Sequence, residues 1–303
     1  PTAKGYQAID GLPTYDTEVK ELVFGAGSPL LATGRVITAQ ALGGTGALKL
    51  GADLLRQVSP DAKVLISNPS WENHQALFTR AGFTVEKYRY YDAQTKGVDV
   101  DGMIADLRAA APGTIVVLHA CCHNPTGADL SDAQWAEVVE VCREKGLVPF
   151  LDMAYQGFSE SLDADGAVVR RFAETGLPLL VSTSFSKSLG LYGERVGALS
   201  VVCADAEEAA RLLSQEKIVI RTNFSNPPTH GGQLAATVLA DPELRGLWID
   251  ELAAMRDRIK SMRLRLVAGL EAAGITDMGF IATQVGMFSY SGLTKEQMVA
   301  LRE

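Results

Sequence analysis

The sequence predicts an α/β fold in which a mixed, mostly parallel sheet is flanked by helices. Candidate buried strands recur as short runs rich in Val, Ile and Leu, without the polar alternation of a half-exposed strand. These runs are KVLIS (63–67), TIVVLHA (114–120), LVPFLDMA (147–154), LPLLVSTSF (177–185) and RVGALSVVC (195–203). Helical patterns separate several of them, and strands that alternate with helices are typical of parallel sheets covered on both faces.

Two of the predicted helices have clear amphipathic patterns. ALKLGADLLRQV (47–58) places its leucines on one broad apolar stripe. SDAQWAEVVEVCREK (131–145) opens with the capping residue Ser131 and carries Val138 and Cys142 at helical spacing. Ligands of such sheets bind beyond the carboxyl ends of the strands, so the polar residues that follow each strand are the candidate functional residues.

From about Pro242 the pattern changes to one long helix, LWIDELAAMRDRIKSMRLRLVAGLEAAG. A helix of this kind is typical of a connection that packs one domain on another. We therefore expect a large domain over 1–245, a connecting helix over 246–273 and the start of a smaller α/β domain over 274–303. Because the chain begins at Pro1 and ends within a helical pattern that has no stop signal, we expect the small domain to be incomplete.

The composition is that of a globular protein, with 47% hydrophobic and 21% charged residues among 303. A net charge of −8 argues against nucleic acid or anionic membranes as partners. No apolar run reaches the length of a membrane helix. The four cysteines show no metal-binding spacing and suit the reduced thiols of a cytoplasmic protein.

Lys187 lies in STSFSKSLGLYGERVG (182–197), directly after one of the apolar runs. A lysine at the end of a buried strand loses hydration, which favours the neutral amine, and a neutral amine forms Schiff bases with carbonyl compounds. Ser184 could bind a phosphate, and Arg195 follows eight residues after the lysine. The combination indicates a lysine that carries pyridoxal phosphate (PLP). The alternative is a surface lysine in a serine-rich turn.

Two further segments meet the needs of the same cofactor. The glycine-rich segment GGTG (43–46), which includes Gly44 and Thr45, precedes the helix 47–58, whose free N–H groups and dipole suit a phosphate. Asp152 ends an apolar strand, where a carboxylate is costly unless it is paired, and a protonated pyridine nitrogen would pair it. The alternative for the glycine-rich segment is a flexible loop, and the alternative for Asp152 is an aspartate that caps a helix or forms a salt bridge.

Polar and aromatic side chains follow two other strands. HACCHNPTG (119–127) contains Asn-Pro-Thr-Gly, which is typical of a turn. The side-chain amide of Asn124 could donate a hydrogen bond to an oxygen on a ring. His119 and His123 are possible metal ligands, but the sequence shows no acidic residues or cysteines at the spacing of a metal site. We therefore predict that no metal is bound. Trp71, in NPSWENH, is placed to stack on a flat ring, or else it is a core tryptophan.

Together these segments resemble the aspartate/aromatic aminotransferases, which are class I, fold-type I enzymes that depend on PLP. The resemblance runs in family order through nearly the whole chain. Its motifs are YQAIDGLP, TAQALGGTGALK, NPSWENH, CCHNPTG, FLDMAYQGF, SFSKSLGLYGERVG, NFSNPPTHG and GMFSYSGLTKEQ. Details such as ALGGTGALK, HNPTGADL and LYGERVGALSV look closer to the bacterial aromatic-type branch.

The resemblance implies a role for each candidate residue. Lys187 would form the Schiff base with PLP and shuttle the α-proton of the substrate, and Asp152 would pair with the pyridine nitrogen. Tyr155 and Asn124 would bind the ring hydroxyl oxygen. Trp71 would stack on the ring, and Trp71 and Asn124 would also contact the substrate. The groups that would hold the phosphate are Gly44, Thr45, Ser184 and Arg195.

The resemblance also implies supporting residues and a homodimer. His123 would lie beneath the cofactor and support Asp152. Tyr6 would reach the phosphate of the partner subunit, and Arg221 would reach the side-chain carboxylate of a substrate bound there. Each active site would then contain residues from both chains.

The implied activity is transamination between an aromatic amino acid or aspartate and 2-oxoglutarate, with small amino acids and 2-oxo acids as partners. A strictly aspartate-specific aminotransferase is the first alternative, because the two branches share these motifs. Another PLP reaction, such as that of a β-lyase, is a second. A third is an inactive PLP-binding fragment, since the family's N-terminal arm and the remainder of its small domain are missing from the sequence.

Overall fold

The computed structural model describes residues 5–302 and contains the predicted sheet. The outer limits of the predicted domains, residues 1 and 303, lie outside the described residues. Seven strands form the main sheet, and two short strands, β4 and β5, form a separate ribbon. In chain order the strands are β1 (Val36–Leu42), β2 (Lys63–Asn68), β3 (Thr84–Arg89), β4 (Tyr91–Asp92), β5 (Gly97–Val98), β6 (Ile115–His119), β7 (Val148–Met153), β8 (Leu179–Ser184) and β9 (Val196–Val202).

The strand order of the main sheet is β1-β9-β8-β7-β6-β2-β3. β9 runs antiparallel to both of its neighbours, whereas the remaining neighbouring pairs are parallel. Six strands therefore end at one edge of the sheet, and β9 begins there. The predicted fold class, a mixed and mostly parallel sheet flanked by helices, is confirmed.

Helices cover both faces of the sheet and follow most of its strands. In chain order they are α1 (Pro13–Phe24), α2 (Pro29–Ala32), α3 (Gly43–Val58), α4 (Glu72–Arg80), α5 (Val100–Ala109), α6 (Asp132–Lys145), α7 (Leu162–Ala173), α8 (Ala206–Asn223), α9 (Thr229–Ala240), α10 (Pro242–Ala272) and α11 (Lys295–Ala300). The predicted cap of α6 is present: Ser131 and Gln134 form a capping box, and the helix ends at Gly146 with φ of 61°.

The core consists of two apolar layers, one on each face of the sheet. Successive residues of β7 show the division, because Phe150 packs in one layer and Leu151 in the other. α3 approaches the sheet so closely that a Cβ atom at Gly51 would lie 2.5 Å from the Phe150 ring. The Ser182 hydroxyl donates a hydrogen bond to the Gly44 carbonyl, 3.2 Å away, which holds the amino end of α3 at the sheet edge where the strands end.

The predicted long helix is present as α10, which has 31 residues and begins at Pro242. Trp248 and Leu252 of α10 are buried, and the Trp248 indole N–H donates a hydrogen bond to the Ser188 carbonyl, 2.6 Å away. This bond ties α10 to the segment that carries Lys187. Within residues 5–302, none of the helices combines the length and the apolar character needed to cross a membrane.

Candidate active site

The strand ends and the amino end of α3 enclose a cavity of about 160 Å³. β7 contributes Asp152, and the segment after β8 contributes Lys187. In the sheet register Asp152 lies beside His119 on β6 and beside Ser182 on β8. The predicted site residues that line the cavity are Gly44, Thr45, Trp71, Asn124, Asp152, Tyr155, Ser184, Lys187 and Arg195.

One end of the cavity is positively charged. Arg195 lies across the start of α3, where a Cβ atom at Gly43 would come within 2.5 Å of the guanidinium. The guanidinium donates hydrogen bonds to the Leu42 and Tyr192 carbonyls and to the Ser186 hydroxyl. Within residues 5–302 no carboxylate lies within ion-pair distance of it. An unneutralised arginine beside a helix N-terminus is suited to bind an anion.

Lys187 is partly buried in the wall of the cavity. Its Nζ atom lies 4.6 Å from the centroid of the Tyr155 ring. Burial lowers the pKa of Lys187, and the positive charge of Arg195 lowers it further, whereas Asp152 opposes the shift. The lowered pKa increases the share of neutral amine, which is the nucleophilic form.

Asp152 is 5% exposed and accepts a hydrogen bond from a buried histidine. The His74 Nε2 atom lies 2.9 Å from Asp152 Oδ2, and the Ser70 hydroxyl lies 2.9 Å from His74 Nδ1. Burial alone would raise the pKa of Asp152, but the hydrogen bond from His74 and the nearby Lys187 outweigh burial, so the pKa lies below its ordinary value. Asp152 therefore keeps a negative charge at neutral pH.

The remaining predicted contacts form the other walls. The Asn124 side-chain amide donates to the Tyr155 hydroxyl at 3.5 Å. Burial raises the pKa of Tyr155, with a further contribution from Asp152, so the phenol keeps its proton. Trp71 precedes α4, and its ring meets the His74 ring edge-on with centroids 5.3 Å apart. An amide, a phenol and an indole thus converge around the lysine.

The prediction that His123 supports Asp152 is wrong. The His123 Nε2 atom lies 2.9 Å from the Ser67 hydroxyl, and its Nδ1 lies 2.8 Å from the Thr126 hydroxyl, so both ring nitrogens are engaged elsewhere. Asp129 fixes this arrangement by accepting hydrogen bonds from two successive backbone N–H groups, those of Cys122 and His123. The His123 ring also stacks on Tyr90, with centroids 3.9 Å apart.

The residue in the predicted role is His74, which the sequence analysis missed. His74 lies in the first helical turn after β2, and β2 ends at the same sheet edge as β7. The available signal was therefore a histidine at the end of NPSWENH, in a segment already assigned to the site. Sequence position alone does not show that its ring turns toward Asp152.

Tyr6 and Arg221 lie outside this cavity. Tyr6 is 93% exposed. Arg221 is exposed in the last turn of α8, and its guanidinium donates to the Ser225 hydroxyl at 2.6 Å and to the Asn226 side-chain oxygen at 3.5 Å. Their predicted roles in a partner subunit's site stay predictions.

Two groups of side chains in the described part of the chain bring possible metal-ligating atoms within 4.8 Å of one another. His74, His119 and Asp152 lie at the cavity, where His74 is already bonded to Asp152. The other group is Cys121, Cys122 and Asp165. Its thiols are poor ligands because their pKa values are raised, that of Cys121 by its hydrogen bond with Cys122 and by burial, and that of Cys122 by burial. The expectation of no metal stays a prediction.

The donor set fits PLP. Arg195, the start of α3 and the Ser184 hydroxyl offer a phosphate site, and Asp152 offers a buried negative charge to a protonated ring nitrogen. His119 adds a buried ring that lines the cavity, and neither ring nitrogen has a hydrogen-bond partner among residues 5–302. Lys187 lies between these two ends as the amine.

The role of His74 can be tested against that of His123. Replacing His74 by phenylalanine removes the donor to Asp152, and charge-assisted hydrogen bonds contribute about 1.5–3 kcal/mol. We expect His74→Phe to weaken PLP binding about tenfold or more and to raise the pKa of Asp152. His123→Phe should instead lower thermal stability and leave PLP affinity nearly unchanged. Equilibrium titration of each apoenzyme with PLP measures the difference, and equal losses of affinity would contradict the assignment.

Comparison with known proteins agrees with this geometry. The model of the family Aminotransferase class I and II matches residues 1–303. An aspartate aminotransferase of Pseudomonas aeruginosa is 58% identical over 300 residues, which cover 99% of this chain and 75% of that protein. The aromatic-amino-acid aminotransferase of Escherichia coli is 48% identical over 299 residues, which cover 98% and 75%.

Among solved structures, an aromatic-amino-acid aminotransferase of Burkholderia pseudomallei, covalently bound to pyridoxal phosphate, has a TM-score of 0.98 and 64% identity. The match covers 100% of this chain and 76% of that one. Because the match covers the whole chain, the aligned region includes every residue of the cavity described above. The chain therefore belongs to the class I and II aminotransferase family.

Proposed function

We propose that this chain is a PLP-dependent aminotransferase that exchanges amino groups between aspartate or aromatic amino acids and 2-oxoglutarate. The observation that carries the proposal is the placement of Lys187 and Asp152 in one cavity with Arg195, which lies at a helix N-terminus and has no carboxylate partner within residues 5–302. The names of the relatives support the substrate class, because they include both aspartate and aromatic-amino-acid aminotransferases.

The chain's own residues would hold the cofactor by its two ends. The start of α3, Ser184 and Arg195 would bind the phosphate, and Asp152 would keep a proton on the ring nitrogen. PLP, when bound, supplies an aldehyde that condenses with amines and a ring that accepts the electron pair of a breaking bond. Tyr155 and Asn124 would bind the ring hydroxyl oxygen, as their shared hydrogen bond supports.

Lys187 would act twice. As a neutral amine it would attach the cofactor, and once displaced by the substrate amine it would hold and move the α-proton at Nζ. The lowered pKa of Lys187 supports both roles, because a base whose pKa is near the working pH transfers protons most efficiently. Trp71 would cover the ring and exclude water from one side.

The activity can be tested with the PLP-loaded enzyme and single amino acids. Aspartate, phenylalanine and tyrosine should each change the visible absorbance of the bound cofactor, and 2-oxoglutarate should restore it with release of the new amino acid. A response to aspartate alone would favour the strictly aspartate-specific alternative, which the name of the Pseudomonas relative supports. PLP binding without any response would contradict the proposed activity and leave an inactive PLP-binding chain.

The proposed enzyme is a homodimer with active sites shared between subunits. The near-complete exposure of Tyr6 supports this, because the side chain is free to reach a neighbouring chain. Arg221 is also exposed, with only neutral hydrogen-bond partners within residues 5–302. We further propose the domain division given above, 1–245, 246–273 and 274–303, and a cytoplasmic location.

Arg221 should discriminate among substrates. A guanidinium that binds a carboxylate through charged hydrogen bonds contributes about 1.5–3 kcal/mol for each bond. Arg221→Ala should therefore reduce kcat/KM for aspartate and 2-oxoglutarate about tenfold or more, with a much smaller effect on phenylalanine. Steady-state kinetics measure this selectivity. Arg211→Ala, at another exposed arginine of α8, is the matched control and should leave kcat/KM unchanged for both aspartate and phenylalanine.

The shared site has its own test. By themselves, Lys187→Ala subunits should be inactive toward aspartate and Arg221→Ala subunits strongly impaired, but mixed dimers would contain one site with both residues intact. Each heterodimer should have about half of the wild-type activity, as expected for one working site of two, and a random 1:1 mixture about a quarter. Unchanged activity in a mixture whose heterodimers are visible by native mass spectrometry would place Arg221 outside the partner's site.

A further inference from the structure

Asn124 is the residue through which the segment 120–130 lines the active-site cavity. Within residues 5–302, its side chain makes one hydrogen bond, the 3.5 Å contact with the Tyr155 hydroxyl. This contact is longer than an ordinary hydrogen bond and restrains the amide weakly. The direction of the Asn124 amide therefore depends on the backbone that carries it.

That backbone is strained just before Asn124. Cys122 has φ of 53°, in the left-handed region, where the Cβ atom of a residue other than glycine is crowded. A residue stays in this region only where the surrounding structure compensates for the cost. The conformation of this turn therefore needs a compensating contact.

Asp129 supplies that contact. Its Oδ2 atom accepts the Cys122 N–H at 2.6 Å, and its Oδ1 atom accepts the His123 N–H at 2.8 Å. Successive backbone N–H groups that converge on one anion form a binding concavity for it. Burial raises the pKa of Asp129, whereas the two N–H donors oppose the rise, as expected for bonds made to the charged form. One carboxylate thus holds the two residues directly before Asn124.

The backbone on the other side of Asn124 is held by main-chain bonds. The Gly127 N–H donates to the His123 carbonyl at 2.8 Å, and the Gly127 carbonyl accepts the Val285 N–H at 2.8 Å. Among residues 5–302, Asp129 is the side chain that bonds to the backbone of the two residues before Asn124. The amide is thus carried by a turn whose amino-terminal half depends on this carboxylate.

We propose that Asp129 is a positioning residue of the reaction: by holding the Cys122 and His123 N–H groups, it aims the Asn124 amide at the ring hydroxyl oxygen of PLP. This role rests on the proposed function, in which Asn124 binds that oxygen. Groups that act on a cofactor must be held to within about 0.5 Å, because hydrogen bonds weaken steeply when their geometry is poor. Without the carboxylate, the turn would relax from the left-handed conformation and displace the amide.

The test measures the visible absorbance of PLP attached to Lys187 as a function of pH. A hydrogen bond to the ring hydroxyl oxygen stabilises its negatively charged form, so loss of the bond raises the apparent pKa of the bound cofactor. We expect Asn124→Ala to raise this pKa by about one pH unit or more, and Asp129→Asn, which keeps the volume but leaves one N–H without its acceptor, by about half a pH unit or more. Removal of the negative charge of Asp129 without movement of Asn124 would instead lower it.

A double variant tests whether Asp129 acts through Asn124. In the Asn124→Ala background no amide is left to be displaced, so Asp129→Asn should not raise the apparent pKa further. Equal rises with and without the amide would show a route that bypasses Asn124 and would overturn the proposal.

Asp165→Asn is the matched control for loss of stability. Asp165 is also a buried carboxylate, it lies outside the lining of the active-site cavity, and it accepts the backbone N–H groups of Gly157, Ser159 and Glu160. Asp165→Asn should lower the melting temperature to a similar extent as Asp129→Asn and leave the apparent pKa at its wild-type value. An equal rise of the pKa in this control would show a general loosening of the fold and would remove the positioning role.

The two single variants separate this role from the proposed function. An apparent pKa that rises in Asn124→Ala but not in Asp129→Asn would overturn the role of Asp129 and leave the proposed function standing. An unchanged pKa in Asn124→Ala itself would contradict both the role of Asp129 and the proposed contact of Asn124. If Asp129→Asn does not fold, Asp129→Ser, whose single short hydroxyl cannot reach both N–H groups, is measured in the same way and decided by the same outcomes.

Discussion

Replacement of Lys187 by alanine is expected to abolish covalent attachment of PLP and to slow transamination by at least about 10²–10⁴-fold. The amine is lost as nucleophile and as proton carrier, and no other lysine lines the cavity within residues 5–302. The walls that would hold the phosphate and ring remain, so non-covalent PLP binding should persist. Borohydride reduction followed by peptide mapping measures attachment, and single-turnover kinetics measure the rate.

Two controls separate chemistry from charge and from folding. Lys187→Arg keeps a positive charge beside Asp152 but removes the neutral amine, so it should be nearly as inactive as alanine. Lys260→Ala, at an exposed lysine of α10, should behave as wild type. Recovery of PLP on a peptide without Lys187 in the reduced wild type would refute the assignment.

The sheet could be predicted because its central strands carry unbroken apolar runs. β6 and β8, for example, are buried at every residue and were identified from composition alone. β3 escaped prediction because it is an edge strand, TVEKYR, with one buried position. An edge strand that faces solvent has no need of an apolar run, so β3 lacks the signal by which the central strands were identified.

The candidate site could be predicted in outline because its residues follow strands that end at one edge of the sheet. The wrong prediction that His123 supports Asp152 shows the limit of this reasoning. His74 and His123 both follow strands that end at this edge, but ring orientation depends on the local turn, which Asp129 and Thr126 fix around His123. Such hydrogen bonds depend on how the chain packs in three dimensions, and the order of motifs along the sequence does not reveal this packing.

The carboxylates Asp16 and Glu216 show a second limit. In the sequence they are ordinary acids on amphipathic helices, and 200 positions separate them. Only the packing of α1 and α8 against β1 buries them. A charged residue on a helix is usually solvated, so a sequence-based interpretation assigns both to the surface.

Replacement of Asp152 by asparagine is the second substitution with a large expected effect. It preserves the volume of the side chain and removes its charge. A buried carboxylate stabilises a protonated ring nitrogen, and removal of one member of a buried ion pair typically costs about 3–5 kcal/mol. We therefore expect kcat/KM to fall about 10²–10³-fold or more and PLP affinity to weaken. Steady-state kinetics and PLP titration measure the two effects.

Charge and geometry are separated by two further variants. Asp152→Glu keeps the charge and shifts its position, so it should retain more activity than the asparagine variant. Asp163→Asn removes an exposed carboxylate and should leave activity unchanged. The hydrogen bond from His74 keeps the pKa of Asp152 below its ordinary value of about 4. Asp152 should therefore stay charged in the wild type, and its protonation should lower the rate only at pH values well below about 4. Near-normal turnover of Asp152→Asn at neutral pH would show that the ring nitrogen needs no negative partner in this protein.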